Sequence, residues 1–375
     1  MNGRPRTRLG SSRYLLTRLP RRRLTSCICY ELSTLGTDDW RISLKIKAVT
    51  ATDPGGIEVL QMRDVELPWP RSDLDVLVRL EAAGVNPADC YFRKYGGYLR
   101  SEHPLVLGHD GAGVVEATGT AVTLFKPGDR VCFCNGGIGG DMGTYAAAAV
   151  VPEPQLARIP DGVDTVSAAA LPLACITAWE GLLQRARIEP GESVLVHAGA
   201  GGTGHIAVQL ASLRGCRVAT TISSREKASL VRELGAELAV DYRAGDFVDV
   251  VRNWRPGGVE VAFDNVGGDV TVRTYGAMAP YGRLVTLMGF AGDDATLTAY
   301  NANLSVHAVM MLTPMWLKLQ DRLAGQADIV RSALRLLAES KLRVHVAGTC
   351  PLSDVAEAHR ICEAGRTTGK IVILM

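Results

Sequence analysis

The stretch HAGAGGTGHI, residues 197–206, places four glycines between a strand-like run, ESVLV, and a run with helical spacing, AVQLASL. Glycine is unfavourable inside strands and helices, so this concentration needs a physical reason. Gly199, Gly201 and Gly204 form G-x-G-x-x-G, and a second strand-like run follows within about 20 residues, which is the context of a dinucleotide-binding turn. The first glycine permits the tight turn, the second admits a pyrophosphate, and the third packs the helix on the strand. Gly202 and Thr203, inside the turn, are further candidate contacts.

The sequence around this turn predicts two structural halves. Downstream of about residue 166, apolar runs alternate with helical ones, which predicts a parallel sheet covered on both faces. The strand-like runs are SVLVHA, CRVATTI, LAVDY, VEVAFDNV and GRLVTLMG, and the helical runs lie near 205–214, 225–235, 246–254 and 269–279. Upstream, KIKAVTA, DVLVRLEAAGV, GAGVVEATG and DRVCFC read as short strands separated by turns. A helical stretch, DIVRSALRLLAESK, and a strand, KIVILM, end the chain.

Composition excludes several classes of protein. The 375 residues exceed one typical domain, and a net charge of +2 gives no general case for nucleic-acid binding. No apolar run approaches the ~20 residues that span a bilayer. The nine cysteines are odd in number and scattered without CxxC, although Cys27/Cys29 and Cys132/Cys134 form CxC pairs. This usage is typical of reduced thiols in a cytoplasmic protein.

The first 44 residues differ from the rest of the chain. Eight arginines fall within positions 4–23, and no acidic residue occurs before Glu31. Three interpretations stay open: a disordered basic leader or over-extended start, an organellar transit peptide, and a nucleic-acid-binding arm. We therefore predict that the globular fold begins at residue 45.

The second strand of the predicted sheet indicates which dinucleotide binds. NAD sites carry an acidic residue about 20 residues beyond the glycines, bonded to the ribose 2′-hydroxyl. Here that strand ends in TTISSR, and Ser223, Ser224, Arg225 and Lys227 offer hydroxyls and positive charge to a 2′-phosphate. Alternatively, Ser224 caps the next helix while Arg225 and Lys227 are solvated, and both interpretations can hold. The pattern predicts NADPH, with the adjacent Glu226 expected to point along the helix.

Eight motifs make the chain resemble the medium-chain dehydrogenase/reductase superfamily, specifically its zinc-free quinone oxidoreductase (zeta-crystallin-like) branch. They are GVNPADCYFR, LGHDGAGVVEATG, KPGDRV, ALPLACITAWEGL, VLVHAGAGGTGHIAVQLA, LGAELAVDY, DNVGG and GKIVI, within residues 45–375. The resemblance implies an α/β protein in which a GroES-like β-rich substrate domain (45–167 and 311–375) carries an inserted Rossmann domain (168–310). It also implies an active-site cleft between the domains and a homodimer. The return of the C-terminus to the first domain comes from the resemblance alone.

The resemblance also bears on zinc. Zinc-dependent relatives use Cys, His and Cys, but here Asn86 stands where the first ligand would begin, and the third position falls near Leu173, two residues from Cys175. His109 keeps the second position, and one ligand cannot hold the metal, since catalytic zinc normally takes three protein ligands. We therefore predict no metal, and a structural hydrogen bond for His109.

The remaining site residues are implied by the resemblance. It places Asn86 and Thr177 near the nicotinamide, and Tyr91, Arg93 and Tyr98 in the loop that walls the substrate pocket. A tyrosine hydroxyl there could bind a carbonyl oxygen or donate a proton, or the tyrosines could simply pack a surface loop. The implied cofactor contacts, besides those named above, are Tyr242, Asn265, Gly289 and Phe290 of the inserted domain and Arg366 and Lys370 of the other one.

These features predict an NADPH-dependent, zinc-independent reductase that transfers hydride to quinones or α,β-unsaturated carbonyls, held between Asn86, Tyr91 and Thr177. Such acceptors have electron-poor carbons that take hydride without a Lewis acid. Two alternatives stay open: a 2-enoyl thioester reductase, in which Tyr98 would correspond to a catalytic tyrosine after a one-residue offset, and a non-enzymatic nucleic-acid-binding or bulk structural protein. We expect a cytoplasmic location without a membrane span, or organellar targeting by residues 1–44.

Overall fold

The computed structural model describes residues 28–29, 42–96, 105–138, 142–289 and 293–375. Tyr98, Phe290 and most of the predicted leader lie outside these residues, so the predictions made for them are not tested by the structure. The described chain contains a four-stranded antiparallel sheet, a seven-stranded mixed sheet and a six-stranded parallel sheet.

The N-terminal part of the described chain consists mainly of strands joined by turns, as its short apolar runs predict. These strands are β1 (Ile28–Cys29), β2 (Ile42–Ala51), β3 (Gln61–Trp69), β4 (Asp75–Val85), β5 (Leu105–Val106), β6 (Asp110–Thr118), β7 (Arg130–Cys134), β8 (Ala148–Pro152) and β9 (Ala157–Arg158). Because β2 begins at Ile42, residues 42–44 of the predicted leader belong to a sheet. Helix α1 (Pro87–Tyr95) follows β4 and has a proline at its first position, where no N–H is needed.

The middle of the chain forms the parallel sheet. Two short helices, α2 (Thr165–Ala170) and α3 (Pro172–Trp179), lead into it. Its strands are β10 (Ser193–Val196), β11 (Arg217–Ile222), β12 (Leu238–Asp241), β13 (Val259–Asp264), β14 (Met278–Thr286) and β15 (Ser305–Ala308). The intervening helices are α4 (Gly204–Leu213), α5 (Arg225–Glu233), α6 (Phe247–Trp254), α7 (Asp269–Ala277) and α8 (Asp293–Asn301). The spatial order β12-β11-β10-β13-β14-β15 reverses direction at β10, and ligands of open α/β sheets bind at such a switch point.

Burial on both faces explains why the strands of this sheet are so apolar. Val194 and Val196 of β10 pack in one buried cluster, whereas Leu195 between them packs in another. Alternate side chains of a strand point to opposite faces, so a covered parallel sheet needs apolar residues at consecutive positions.

The chain then returns to the N-terminal sheet. The closing elements are α9 (Thr313–Trp316), α10 (Gln320–Ala338), β16 (Val346–Pro351), α11 (Val355–Glu363) and β17 (Lys370–Leu374). β17 pairs antiparallel with β4, with Ile371 opposite Val85. The predicted fold class, a β-rich domain with an inserted parallel α/β sheet, is confirmed, while the exact domain boundaries stay predictions. Among the described residues, no helix is long and apolar enough to cross a membrane.

Candidate active site

The glycines of the turn after β10 serve two different purposes. A Cβ atom on Gly199 would overlap the Thr220 side chain of β11, and one on Gly204 would overlap a backbone carbonyl of the turn. These two positions are glycine because strand and helix pack too closely for a side chain. Cβ atoms on Gly201 and Gly202 would meet nothing nearer than 3.2 Å and 3.3 Å, respectively. The middle of the turn is therefore the part that a ligand can approach.

The surroundings of this turn favour an anion. Helix α4 starts directly after it, has no acidic residue in its first turn, and receives no side-chain cap at Thr203 within the described chain. The Lys370 side chain of β17 lies beside Gly202, and the Gly369 N–H donates to the Ala200 carbonyl at 2.8 Å. A helix N-terminus with a lysine beside it fits a pyrophosphate.

The Lys370 ammonium reaches a buried carboxylate of its own, β-rich domain. Its Nζ lies 3.4 Å from Asp110 Oδ2, with side chains 3% and 0% exposed. Asn86 bridges the two, because its Nδ2 donates to Asp110 at 2.9 Å and its Oδ1 accepts from Lys370. Burial raises the pKa of Asp110, and the Lys370 charge and the Asn86 hydrogen bond oppose this rise. We call these three residues the Lys370–Asn86–Asp110 cluster; its central acid, Asp110, is absent from the sequence-based site.

Helix α3 adjoins this cluster. The Leu173 N–H donates to the second carboxylate oxygen of Asp110 at 2.8 Å. One turn later, the buried Thr177 hydroxyl donates to the Leu173 carbonyl at 2.7 Å, which leaves its lone pairs as acceptors. Thr177 is thus linked to Asn86 through Leu173 and Asp110.

A second polar cluster supports Asn86 from behind. Asp89 accepts from the Asn86 N–H at 2.8 Å, from His109 Nδ1 at 2.5 Å and from the Tyr145 hydroxyl at 3.0 Å. Burial would raise the pKa of Asp89, but the charge and hydrogen bond of His109 outweigh it and lower that pKa. His359 lies on the far side, with Nε2 at 3.3 Å from the Tyr145 hydroxyl. His109 makes the structural hydrogen bond that the sequence predicts, but Asp89, Tyr145 and His359 were not foreseen.

The predicted 2′-phosphate residues gather where β11 and β12 end. The Tyr242 N–H donates to the Ile222 carbonyl at 3.3 Å, so the two strand ends are adjacent. Ser223 and Lys227 are half-buried there, while Arg225 is exposed. This geometry leaves positive charge at the solvent-facing edge of the crevice.

The start of α5 bears on two expectations from the sequence, the capping role of Ser224 and the direction of the Glu226 side chain. The Ser224 hydroxyl accepts from the Lys227 N–H at 3.3 Å and so caps the helix. It also hydrogen-bonds the exposed Glu226 carboxylate, which lowers the pKa of that group. Glu226 therefore turns back toward the cap instead of pointing along the helix, because the hydroxyl and the free N–H groups of the first turn attract an anion.

Two further predicted cofactor residues follow neighbouring strands. Asn265, after β13, donates from Nδ2 to the His197 carbonyl at 2.8 Å, and its buried Oδ1 has no partner within the described residues. A buried acceptor without a partner is costly and fits a ligand that donates a hydrogen bond. Gly289, after β14, has a φ of 90° and accepts from Thr286 at 2.9 Å through its carbonyl.

The remaining predicted residues are not brought to the cluster by any contact within the described chain. Arg93 is 2% exposed and its guanidinium pairs with Glu363 of α11 at 2.6 Å, so it joins two helices of one domain. Tyr91 is exposed and contacts Tyr95, with ring centroids 5.0 Å apart. Arg366 is exposed between α11 and β17. The ion pair shows that this side of α1 faces α11, and the substrate contact of Arg93 stays a prediction.

Comparisons with known proteins match both parts of this architecture. Residues 72–161 match the family model described as alcohol dehydrogenase GroES-like domain, and residues 234–373 match the one described as zinc-binding dehydrogenase. The first match spans β4 to β9, and the second spans β12 to β16 and most of the returning strand β17.

Individual proteins are similar over most of the chain. A quinone oxidoreductase of Pseudomonas aeruginosa is 34% identical over 85% of this chain and 97% of its own length. An NADPH-dependent alkenal/one oxidoreductase of Arabidopsis thaliana is 32% identical over 90% of this chain and 81% of its own. A mycobacterial protein solved in complex with NADPH superposes with a TM-score of 0.75 at 32% identity, covering 88% of this chain and 99% of that one.

Proposed function

The chain belongs to the quinone oxidoreductase branch of the medium-chain dehydrogenase/reductase superfamily, and we propose that it reduces quinones or α,β-unsaturated carbonyls with NADPH. The observation that carries this proposal is the position of Lys370. Its side chain lies beside Gly202 of the nucleotide turn, and its ammonium ends at Asn86 and Asp110 of the other domain. A nucleotide held at the turn would thus point its reactive end toward a polar, water-poor cluster.

The described residues fit the nucleotide along its length. The pyrophosphate would be held by the Gly201–Gly202 turn and the N-terminus of α4, and Asn265 Oδ1 would accept a hydrogen bond from the ligand. Arg225 and Lys227 would pair with the 2′-phosphate. When bound, NADPH supplies the hydride. Glu226 opposes the 2′-phosphate, but two cations face one carboxylate at this end.

We propose that the reaction runs without zinc. A divalent cation at the Lys370–Asn86–Asp110 cluster would stand beside an ammonium, which repels it. His109 offers one nitrogen, while its other nitrogen faces Asp89. Nowhere in the described ranges do three or more His, Cys, Asp or Glu side chains form a group that could hold a metal.

The residues of this chain would then orient the acceptor and exclude water. Lys370 has three N–H donors and the cluster uses two of them, so the third can be directed at an acceptor oxygen. Asn86 and Leu173 fix the Asp110 carboxylate, and Asp110 in turn fixes the ammonium. Burial raises the pKa of Asp110, whereas the donors around its two oxygens favour the charged carboxylate.

An acceptor screen tests this proposal. The full chain is mixed with NADPH and, in parallel, with a benzoquinone, a 2-alkenal or a crotonyl thioester, and NADPH absorbance is followed. We expect turnover with the quinone or the alkenal, and loss of most of it in Lys370→Met. The matched control is Lys341→Met, which removes an exposed lysine paired with Glu339 and should retain activity. Turnover of the thioester alone would favour the 2-enoyl thioester reductase, and no turnover of any acceptor would refute the proposal.

A further inference from the structure

Two cysteines meet where helices α1 and α11 pack together. Cys90 of α1 is 4% exposed, and its thiol lies 3.9 Å from the His359 carbonyl of α11. One turn further along α1, Arg93 pairs with Glu363 at 2.6 Å, which fixes the relative position of the helices. Cys362, next to Glu363 and three residues after His359 on α11, is half-buried, and its thiol interacts with that of Cys90.

Cys362 differs chemically from the other described cysteines, Cys90 included, because its pKa alone is lowered. Burial raises the pKa values of Cys132, Cys134 and Cys175, so these thiols stay protonated and inert. Within the pair, the Cys90 hydrogen bond lowers the pKa of Cys362, and the charge of Lys370 adds to this effect. The thiolate, which is the reactive form, is therefore favoured at the more accessible sulfur.

We propose that Cys90 and Cys362 form a redox-sensitive dithiol, which hydrogen peroxide converts into a disulfide that joins α1 to α11. The proposal does not depend on the hydride-transfer reaction, since it concerns thiols where α1 packs on α11. It adds an oxidation site to a chain whose cysteine usage otherwise indicates reduced thiols.

The reaction balances in two steps. The Cys362 thiolate attacks one peroxide oxygen, the O–O bond breaks, and a sulfenic acid and hydroxide form; the hydroxide takes the released thiol proton and leaves as water. The Cys90 thiol then attacks the sulfenic sulfur, the S–O bond breaks, and its proton leaves with the hydroxyl as a second water. Two electrons pass from the two thiols to peroxide, and a dithiol reductant reverses the change.

Peptide mapping tests the proposal on the wild-type chain. Trypsin releases Cys90 in residues 80–93 (LEAAGVNPADCYFR) and Cys362 in residues 361–366 (ICEAGR), and each peptide holds one cysteine. After peroxide treatment of the folded protein, we expect these peptides to be linked under non-reducing conditions and separate after reduction. Protein unfolded before peroxide addition should not give this linkage selectively. Absence of the linked pair from folded protein, or equal linkage of Cys362 to other cysteines, would overturn the proposal.

Single variants assign the roles. Cys90→Ser should leave Cys362 as a sulfenic acid that a 1,3-dione traps, whereas Cys362→Ser should leave Cys90 unmodified. Cys350→Ser is the matched control, because Cys350 is another half-buried cysteine near the C-terminus, and its loss should not change the linkage. Trapping at Cys350 as fast as at Cys362 would contradict the proposed reactivity. The crosslink should also raise the thermal midpoint of wild type but not of Cys362→Ser, since it joins distant parts of the unfolded chain.

Discussion

Replacing Lys370 with methionine removes the ammonium that connects the nucleotide turn with Asp110. We expect the variant to unfold more readily and to bind NADPH and NADH more weakly by similar factors. The affinities for both cofactors should fall equally, because both contain the pyrophosphate that would bind beside Gly202. Methionine keeps most of the aliphatic volume, so the effect reports the lost charge.

The size of the stability loss follows from the buried geometry. At 3.4 Å, the charges attract by about 5 kcal/mol at an effective dielectric constant of about 20. Removing one partner of a buried pair costs about 3–5 kcal/mol, because the other charge is left uncompensated. Asp110 can escape part of this cost by taking up a proton, since burial already raises its pKa. We therefore expect a loss near the lower limit, about 3 kcal/mol.

Proton uptake also gives the variant a characteristic pH dependence. An acid whose pKa is raised by folding binds more protons in the native state, so stability falls as pH rises toward the folded pKa. The Lys370→Met variant should therefore lose more stability at mildly alkaline than at mildly acidic pH. Without Lys370, the rise in the Asp110 pKa is larger, so stability should fall up to a higher pH than in wild type.

The coupling between Lys370 and Asp110 is measured by guanidinium unfolding of four proteins: wild type, Lys370→Met, Asp110→Asn and the double variant. The double variant should lose less free energy of unfolding than the sum of the two single variants, because each single one leaves an unpaired buried group. Lys341→Met, at an exposed ion pair, should change stability by less than about 1 kcal/mol. Additive losses in the double variant, or NADPH weakened far more than NADH, would refute the reasoning.

Three further predictions concern the cofactor, the metal and pH. Lys227→Glu should weaken the binding of NADPH about 10- to 100-fold more than that of NADH in fluorescence titrations, since a charge-assisted hydrogen bond contributes about 1.5–3 kcal/mol. Glu226→Gln should tighten the binding of NADPH alone. Equal effects on the binding of both cofactors would contradict the 2′-phosphate assignment. Purified protein should contain no stoichiometric zinc and keep its activity with a chelator, whereas activity lost on chelation and restored by zinc would contradict this. Burial lowers the pKa values of His197, His205 and His359 to about 4. Between about pH 4 and 6.5 the unfolded chain therefore binds more protons than the folded one. The free energy of unfolding should fall by about 3 kcal/mol per histidine as the pH drops through that range. A thermal midpoint that does not change over this range would show that these histidines are not buried as described.

Local patterns were enough to predict most of the parallel sheet. Five of its strands are contiguous apolar runs, because both faces of that sheet are covered. The sixth, β15, was missed since SVHA is short and contains a histidine, and at the sheet edge it needs less apolar character. The return of β17 to β4 was implied by resemblance only, because the sheet that a strand joins depends on contacts remote in sequence.

The site, too, has a part that local sequence predicts and a part that depends on contacts remote in sequence. The glycine turn is a local motif, so the sequence alone indicates that strand and helix pack closely at Gly199 and Gly204. The partners of Asn86 are not, since Asp110 is 24 residues away and Lys370 is 284 residues away. Likewise, the ion pair of Arg93 with Glu363 was not foreseen, because the sequence does not say which helix covers α1.

The register of β17 explains why the nucleotide turn and the cluster form one unit. With Ile371 opposite Val85, Lys370 falls opposite Asn86, and a slip by one residue would turn its side chain to the other face. Gly369 fixes this register: its φ is 75°, and a Cβ atom there would overlap the His345 carbonyl, which accepts from the Lys370 N–H at 2.9 Å.

The His345 N–H in turn donates to His205 Nε2 at 3.2 Å, so the Nδ1 of this neutral ring carries the proton and donates to the Gly201 carbonyl at 2.9 Å. A continuous chain of hydrogen bonds thus runs from the glycine turn through His205 and His345 to Lys370. Protonation of His205 would leave the His345 N–H without its acceptor. Protonation of His205 should therefore loosen the turn and Lys370 together, because both are held in place by the same neutral imidazole.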